Sequence, residues 1–127
     1  MAAKRSLGER GEQAAAAYLE RAGYRIRERN YRTPRGEIDL VAEEGETLVF
    51  VEVKTRADVR RGQPREAVGR RKQLRMAWAA YHYLEQHPEE RPCRFDVVEV
   101  LLDGPIPDIH LIRHALPPAH SDDDWFE

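Results

Sequence analysis

Gly36-Glu37-Ile38-Asp39-Leu40-Val41-Ala42, then Glu43-Glu44-Gly45-Glu46, then Thr47-Leu48-Val49-Phe50-Val51-Glu52-Val53-Lys54 is the stretch that decides the fold. Its two flanks alternate apolar and polar residues, the period of a half-buried strand, and the X-Gly between them reads as a hairpin turn. With Glu44-Gly45 as the two-residue turn, Glu43 pairs with Glu46, Asp39 with Phe50 and Glu37 with Glu52. Ile38, Leu40, Ala42, Val49, Val51 and Val53 then share one apolar face. Glu37, Asp39, Glu52 and Lys54 lie on the other, together with Val41, Leu48 and Phe50. In this register Asp39 and Glu52 are diagonal neighbours at roughly 7–8 Å, and Glu52 and Lys54 follow each other on one face at about 6.6 Å.

Two carboxylates and an amine on one patch of sheet point to a metal site with a base or charge clamp. Mg²⁺ and Mn²⁺ prefer such hard carboxylate oxygens, completed by water. The alternative is a solvent-facing acidic strand pair, in which like charges on adjacent strands repel unless something neutralises them. Lys54 alone would neutralise them only in part. The chain has eighteen arginines and only three lysines, Lys4, Lys54 and Lys72. A lysine kept at position 54 suggests a compact ammonium that orients or deprotonates a water, against the plainer reading of a salt-bridging surface lysine.

Outward from the hairpin, the charge is blocked rather than mixed. Residues 1–35 carry a net +5, 36–53 a net −6, 54–75 a net +7 and 76–127 a net −8, within a total of −2. An acidic hairpin between two basic segments suits a metal-dependent site acting on a polyanion. Arg56, Arg60, Arg61, Arg65, Arg70, Arg71, Lys72 and Arg75 are candidates to track phosphates, and Gln73 to position a phosphate or a water. For any one of them the plainer reading is a solvated side chain.

The remaining elements frame the hairpin. Ser6-Leu7-Gly8-Glu9 is a capping box that opens a helix running to about Ala22 and closed by Gly23. On it Gly8, Glu12, Ala15, Leu19 and Ala22 form one stripe, leaving Glu12 as a carboxylate on the face expected to be buried, in need of a cation or donors. Tyr24 to Thr33 reads as a strand. A polar loop covers Thr55 to Gln63, and a second helix begins at Pro64-Arg65-Glu66, with a stripe of Leu74, Ala77, Trp78, Tyr81 and Leu84, and ends at Pro88. Arg94 to Leu102 and Ile109 to Ala115 are further strands. The expected fold is α/β, a mixed sheet flanked by helices in the order α-β-β-β-α-β-β. Residues 1–116 form one domain, and 117–127 an acidic, flexible tail.

Other features are read more plainly. Asp96 alternates with Val98, Val100 and Leu102 and suits a structural ion pair with an arginine. His110 and His114 are four apart on an extended segment, which does not suit zinc. The single cysteine, Cys93, excludes an intrachain disulfide and a cysteine metal cluster. No apolar run is long enough for a membrane span and none resembles an export signal, so the cytoplasm is the expected address.

Gly8-x-x-Gly11-Glu12, Asn30-Tyr31-Arg32, Gly36-Glu37-Ile38-Asp39-Leu40, Phe50-Val51-Glu52-Val53-Lys54-Thr55-Arg56, Lys72-Gln73 and Arg94-Phe95-Asp96-Val97 together resemble the YraN-like family of bacterial proteins. That family is similar to archaeal Holliday-junction resolvases within the PD-(D/E)xK nuclease superfamily. The resemblance covers about residues 6 to 100. It implies a restriction-endonuclease-like core, metal coordination by Asp39 and Glu52 with the Val53 carbonyl as a further ligand, Lys54 as catalytic lysine, and Glu12 touching the metal or its waters.

The expectation is therefore a Mg²⁺- or Mn²⁺-dependent endonuclease that hydrolyses phosphodiester bonds in branched or duplex DNA. Arg56, Arg70, Arg71, Lys72, Gln73 and Arg75 would hold the strands. Two cuts at a junction would favour a homodimer. The alternatives are a non-catalytic nucleic-acid-binding module on the same scaffold, and a protein-docking adaptor working through the acidic-aromatic tail, Asp122-Asp123-Asp124-Trp125-Phe126-Glu127.

Overall fold

A computed structural model describes residues 6–57 and 69–116. The expected helix start at Pro64, the arginines at 60, 61 and 65, and the tail 117–127 lie outside the described residues. Within them the order is α1 (Leu7–Arg21), β1 (Arg25–Thr33), β2 (Gly36–Glu44), β3 (Thr47–Arg56), α2 (Arg70–Gln86), β4 (Cys93–Leu101) and β5 (Asp108–Leu116). This is the expected α-β-β-β-α-β-β. The strands form one sheet in the order β1-β2-β3-β4-β5. Only β3 and β4 run parallel, because α2 makes the crossover between them.

The two helices cover opposite faces. Ala15, Ala16 and Leu19 of α1 bury against Leu40, Ala42, Val49, Val51, Val98 and Val100. Met76, Ala79, Ala80 and Tyr83 of α2 bury against Val41, Leu48, Phe50, Phe95 and Val97. A single sheet with a hydrophobic core on each side is thus built from strands apolar on both faces. Among the described residues no helix is long and apolar enough to cross a membrane.

The α1 start is as read: Ser6 Oγ accepts from Glu9 N at 3.1 Å and Glu9 Oε1 accepts from Ser6 N at 3.0 Å. The helix stops at Gly23, whose φ of +97° favours a residue without Cβ. Both buried stripes differ from expectation. On α1 Gly11, Ala15, Ala16 and Leu19 are buried, while Gly8 and Ala22 are exposed. On α2 Met76, Ala79, Ala80 and Tyr83 join Ala77 in the core, whereas Tyr81 is 57 % exposed. Small alanines let the helix axis approach the sheet and Tyr83 fills the depth, so the bulkiest residues did not mark the packed side.

The hairpin register also differs. Glu44 pairs with Thr47, Val41 with Phe50 and Leu40 with Val51, so the turn is Gly45-Glu46, with Gly45 at φ +60°. A slip of two residues keeps every β3 side chain on its expected face. It also brings Asp39 level with Glu52 rather than diagonal to it. Ile38 departs from its expected face: it packs with the α2-side core, not with Leu40 and Ala42. The alternation breaks at Asp39, where pairing with β3 ends.

Candidate metal and nucleic-acid site

Four elements, α1, β2, β3 and α2, deliver the candidate side chains, and two glycines let them approach. At Gly11 any Cβ would collide with the side chain of Thr55, so α1 lies directly on the end of β3. At Gly36 a Cβ would collide with the carbonyl oxygen of Arg75, so the first turns of α2 press on the start of β2. Glu12, Asp39, Glu52 and Lys72 are drawn to one end of the sheet by these two contacts.

Below Leu40 and Val51 the two strands of the hairpin no longer pair, and a side chain takes over. Asp39 Oδ2 accepts a hydrogen bond from the backbone N–H of Val53 at 2.8 Å. That bond fixes the carboxylate beside Glu52. Glu52 is buried, at 7 % exposure, and its Oε1 has no hydrogen-bond partner. Lys72 Nζ stands 3.5 Å from the same oxygen, near enough for charge pairing. Burial, the adjacent Asp39 charge and a hydrogen bond with Asp39 push the Glu52 carboxyl up to about 8, against the opposing pull of Lys72. At neutral pH the metal-free pair therefore takes up a proton in place of the positive charge that Lys72 does not fully supply.

Glu12 lies on the other side of the sheet end, half-buried. Burial first, and the Asp39 charge second, raise its carboxyl above the usual range, while a hydrogen bond from Asn30 and the nearby Arg32 oppose the shift. Asp39 is therefore the link: it is an electrostatic neighbour of Glu12 on the α1 side and of Glu52 on the α2 side. Lys54 follows Glu52 by two residues on β3, half-buried and on the same face by the strand's alternation. Val53 carries the N–H that holds Asp39.

A divalent cation fits part of this arrangement. The orphaned Glu52 oxygen and the adjacent Asp39 are hard oxygen donors in want of positive charge. Glu12 is not drawn into the same coordination sphere: among the described residues no group of three or more His, Cys, Asp or Glu closes around a point. Two carboxylates would leave the other positions to waters and phosphate oxygens, as Mg²⁺ commonly does.

The expected phosphate-tracking residues separate into kinds. Arg70 and Arg71 are exposed at the start of α2, and Arg56 and Gln73 are half-buried. Arg75 pairs with Glu37 at 3.2 Å. Lys72 is the residue whose placement sequence reasoning missed, since it faces Glu52. Its rarity, the argument applied to Lys54, applied equally to it. Asn30, Gln13 and Arg29 were also missed; with Glu9, Glu12 and Leu40 they line an open cleft of about 260 Å³ beside Glu12. Asp96 is structural as expected. It is fully buried and held by Arg94 Nε at 2.9 Å, the Tyr24 hydroxyl at 3.1 Å and the His114 N–H at 3.1 Å.

Comparison with known proteins places this arrangement in a family. A UPF0102 protein of Moorella thermoacetica is 54 % identical over 101 residues, 79 % of this chain and 84 % of the relative. One from Symbiobacterium thermophilum is 58 % identical over 97 residues, 76 % and 82 % of the two chains. One from Syntrophus aciditrophicus is 48 % identical over 115 residues, 90 % and 91 %. The model of the same family matches residues 11–100, a span that contains Glu12, Asp39, Glu52, Lys54 and Lys72, and so the chain belongs to the uncharacterised protein family UPF0102.

Proposed function

We propose that this protein is a metal-dependent nuclease that hydrolyses phosphodiester bonds in DNA. The observation that carries the reading is the Asp39–Glu52 pair, with a buried Glu52 oxygen left without a hydrogen bond at the point where β2 and β3 part. The likeness of the Asp39…Glu52-Val53-Lys54 pattern to PD-(D/E)xK nucleases supports it.

In this reading Asp39 and Glu52 would hold one or two Mg²⁺ ions. A bound ion of that kind supplies charge to a phosphoryl oxygen and lowers the pKa of a coordinated water. Lys54, which shares the strand face of Glu52, would bring an ammonium beside the attacking water and the phosphate. Val53 contributes its N–H to the posture of Asp39, and its carbonyl is a candidate further ligand. Glu12 orders water on the α1 side. Arg70 and Arg71 at the start of α2, with Arg56 at the end of β3, meet phosphates. Such contacts read backbone and not sequence, so selection by strand structure fits better than selection by site.

The test is cleavage of branched, flapped, single-stranded and duplex DNA with and without Mg²⁺, beside Glu52→Ala and Lys54→Ala. Mg²⁺-dependent cutting that both substitutions abolish supports the assignment. Equal cutting by all three proteins removes it. One observation favours a second reading, a nucleic-acid-binding module that does not cut: among the described residues no three acids converge. Salt-sensitive binding without cleavage in any metal would establish that reading instead.

A further inference from the structure

We propose that the cleft between α1 and β1 receives a single unpaired nucleobase from the bound strand. The inference rests on the nucleic-acid reading above and names the substrate feature that the neighbouring site selects. The cleft is lined by Glu9, Glu12, Gln13, Arg29, Asn30 and Leu40 and encloses about 260 Å³. Drug-sized ligand sites begin at roughly 300 Å³, so this space suits one small planar group.

The lining defines what that group is. Two carboxylates, Glu9 and Glu12, repel a phosphate, so the cleft does not serve as an anion site. Carboxylate and amide groups converging over an apolar floor, the buried Leu40, match the polar edge and flat faces of a base. A carboxylate accepts from the N–H donors of a pairing edge, and guanine presents two such donors side by side. Gln13 and Asn30 each offer a donor and an acceptor. Asn30 has a left-handed backbone, φ +53°, within a strand that is otherwise extended. Its side chain lines the cleft together with Glu12, the electrostatic neighbour of Asp39. Exposed Arg29 at the mouth supplies a guanidinium plane for stacking and a charge for the flanking phosphate.

The location couples this cleft to the cutting site. Glu12 lies in its wall and is an electrostatic neighbour of Asp39, so a base seated there sets the adjacent phosphate toward the Asp39–Glu52 pair. A base inside an intact duplex is not available to such a cleft without unstacking. A bulged, flapped or frayed base is, and at little cost.

The experiment reads binding and not cleavage, so the nuclease reading stands or falls separately. Fluorescence anisotropy without divalent metal compares a labelled duplex carrying one bulged guanine with the same duplex fully paired. Gln13→Trp fills the cleft from an exposed helical position, and Arg29→Ala removes the group at its mouth; thermal melting confirms that both fold. Wild type binds the bulged duplex about tenfold more tightly than the paired one, and both substitutions bring the ratio within about twofold; Gln13→Trp does so without weakening paired-duplex binding. Equal affinity of wild type for the two duplexes, or a preference that survives Gln13→Trp, overturns the proposal.

Discussion

Asp39 Oδ2 stands 2.8 Å from the backbone nitrogen of Val53 and takes the place of a missing rung between β2 and β3. This one bond serves both the sheet and the candidate site. Asp39→Ala leaves a half-buried N–H without an acceptor, at a cost of about 1–3 kcal/mol. Asp39→Asn keeps an acceptor oxygen in the same place, and its stability stays within about 1 kcal/mol of wild type. Urea unfolding separates the two. On the nuclease reading both substitutions abolish Mg²⁺-dependent cleavage, since Asn retains the geometry and not the charge.

Glu52 gives the metal-free protein a distinctive pH dependence. Its carboxyl sits near 8 in the folded state, for burial and for the Asp39 charge, and near 4.5 when the chain unfolds. Between those values the folded state binds more protons than the unfolded one, so stability falls as pH rises from about 4.5 to 8. The contribution of this one group is on the order of 5 kcal/mol at most. Thermal melts in EDTA show the decline, and Glu52→Gln flattens it. On the metal-site reading Mg²⁺ restores the stability lost at pH 8, because it would bind the ionised pair. A wild-type melting profile that rises across this window would contradict the burial of Glu52.

Much of the fold was legible because its signals are local. The capping box at Ser6, the stop at Gly23 and the period-two runs on either side of Gly45 each specify backbone directly. Face assignment on the helices was less legible. Alanine is buried or exposed at equal ease, so the stripe containing Ala79 and Ala80 could not be told from the one containing Trp78 and Tyr81 by composition. The hairpin turn was off by one residue on each strand, since Gly at the first turn position and Gly at the second satisfy the same pattern. The Asp39–Glu52 approach survived that error because a two-residue slip preserves facing. Lys72 was read as a phosphate contact and not as the neighbour of Glu52, since a helix placed by a long crossover has no register with β3 that the sequence states.

Gly36 and Gly11 test the two close approaches that assemble the site. At Gly36 a methyl group meets the backbone carbonyl of Arg75, which cannot move without shifting α2. Gly36→Ala therefore destabilises by about 1–3 kcal/mol. At Gly11 the obstacle is the Thr55 side chain. Gly11→Ala is similarly destabilising, and the double substitution Gly11→Ala, Thr55→Ala recovers part of the loss. Chemical denaturation of wild type, Gly11→Ala, Thr55→Ala and the double variant measures the coupling. Recovery in the double variant identifies the helix-to-strand contact, whereas simple additivity would place the strain elsewhere.

Asp96 separates structural acids from those of the candidate site. It is fully buried among Arg94, Tyr24 and the His114 N–H. Asp96→Ala leaves the Arg94 guanidinium with Glu44 as its remaining carboxylate partner, 2.6 Å away, and costs about 3–5 kcal/mol. On the nuclease reading, Mg²⁺-dependent cleavage by the folded fraction is unchanged, because Asp96 pairs by register with Val51, whose side chain lies on the opposite face of β3 from that of Glu52. Activity measured per folded molecule, well below the lowered melting temperature, checks this.

Lys72 stands where a metal would compete with it. In the metal-free protein its ammonium is 3.5 Å from the orphaned Glu52 oxygen and supplies part of the missing positive charge. A dication approaching the Asp39–Glu52 pair meets that charge as a repulsion. Lys72→Ala removes the competitor, and the pair then attracts Mg²⁺ or Mn²⁺ roughly three- to tenfold more strongly. DNA affinity moves the other way, since one cation is lost from a basic helix. Calorimetric titration with Mn²⁺, in the absence of DNA, reads the first effect alone. A midpoint that is unchanged or higher in Lys72→Ala would show that the cation does not enter beside Glu52.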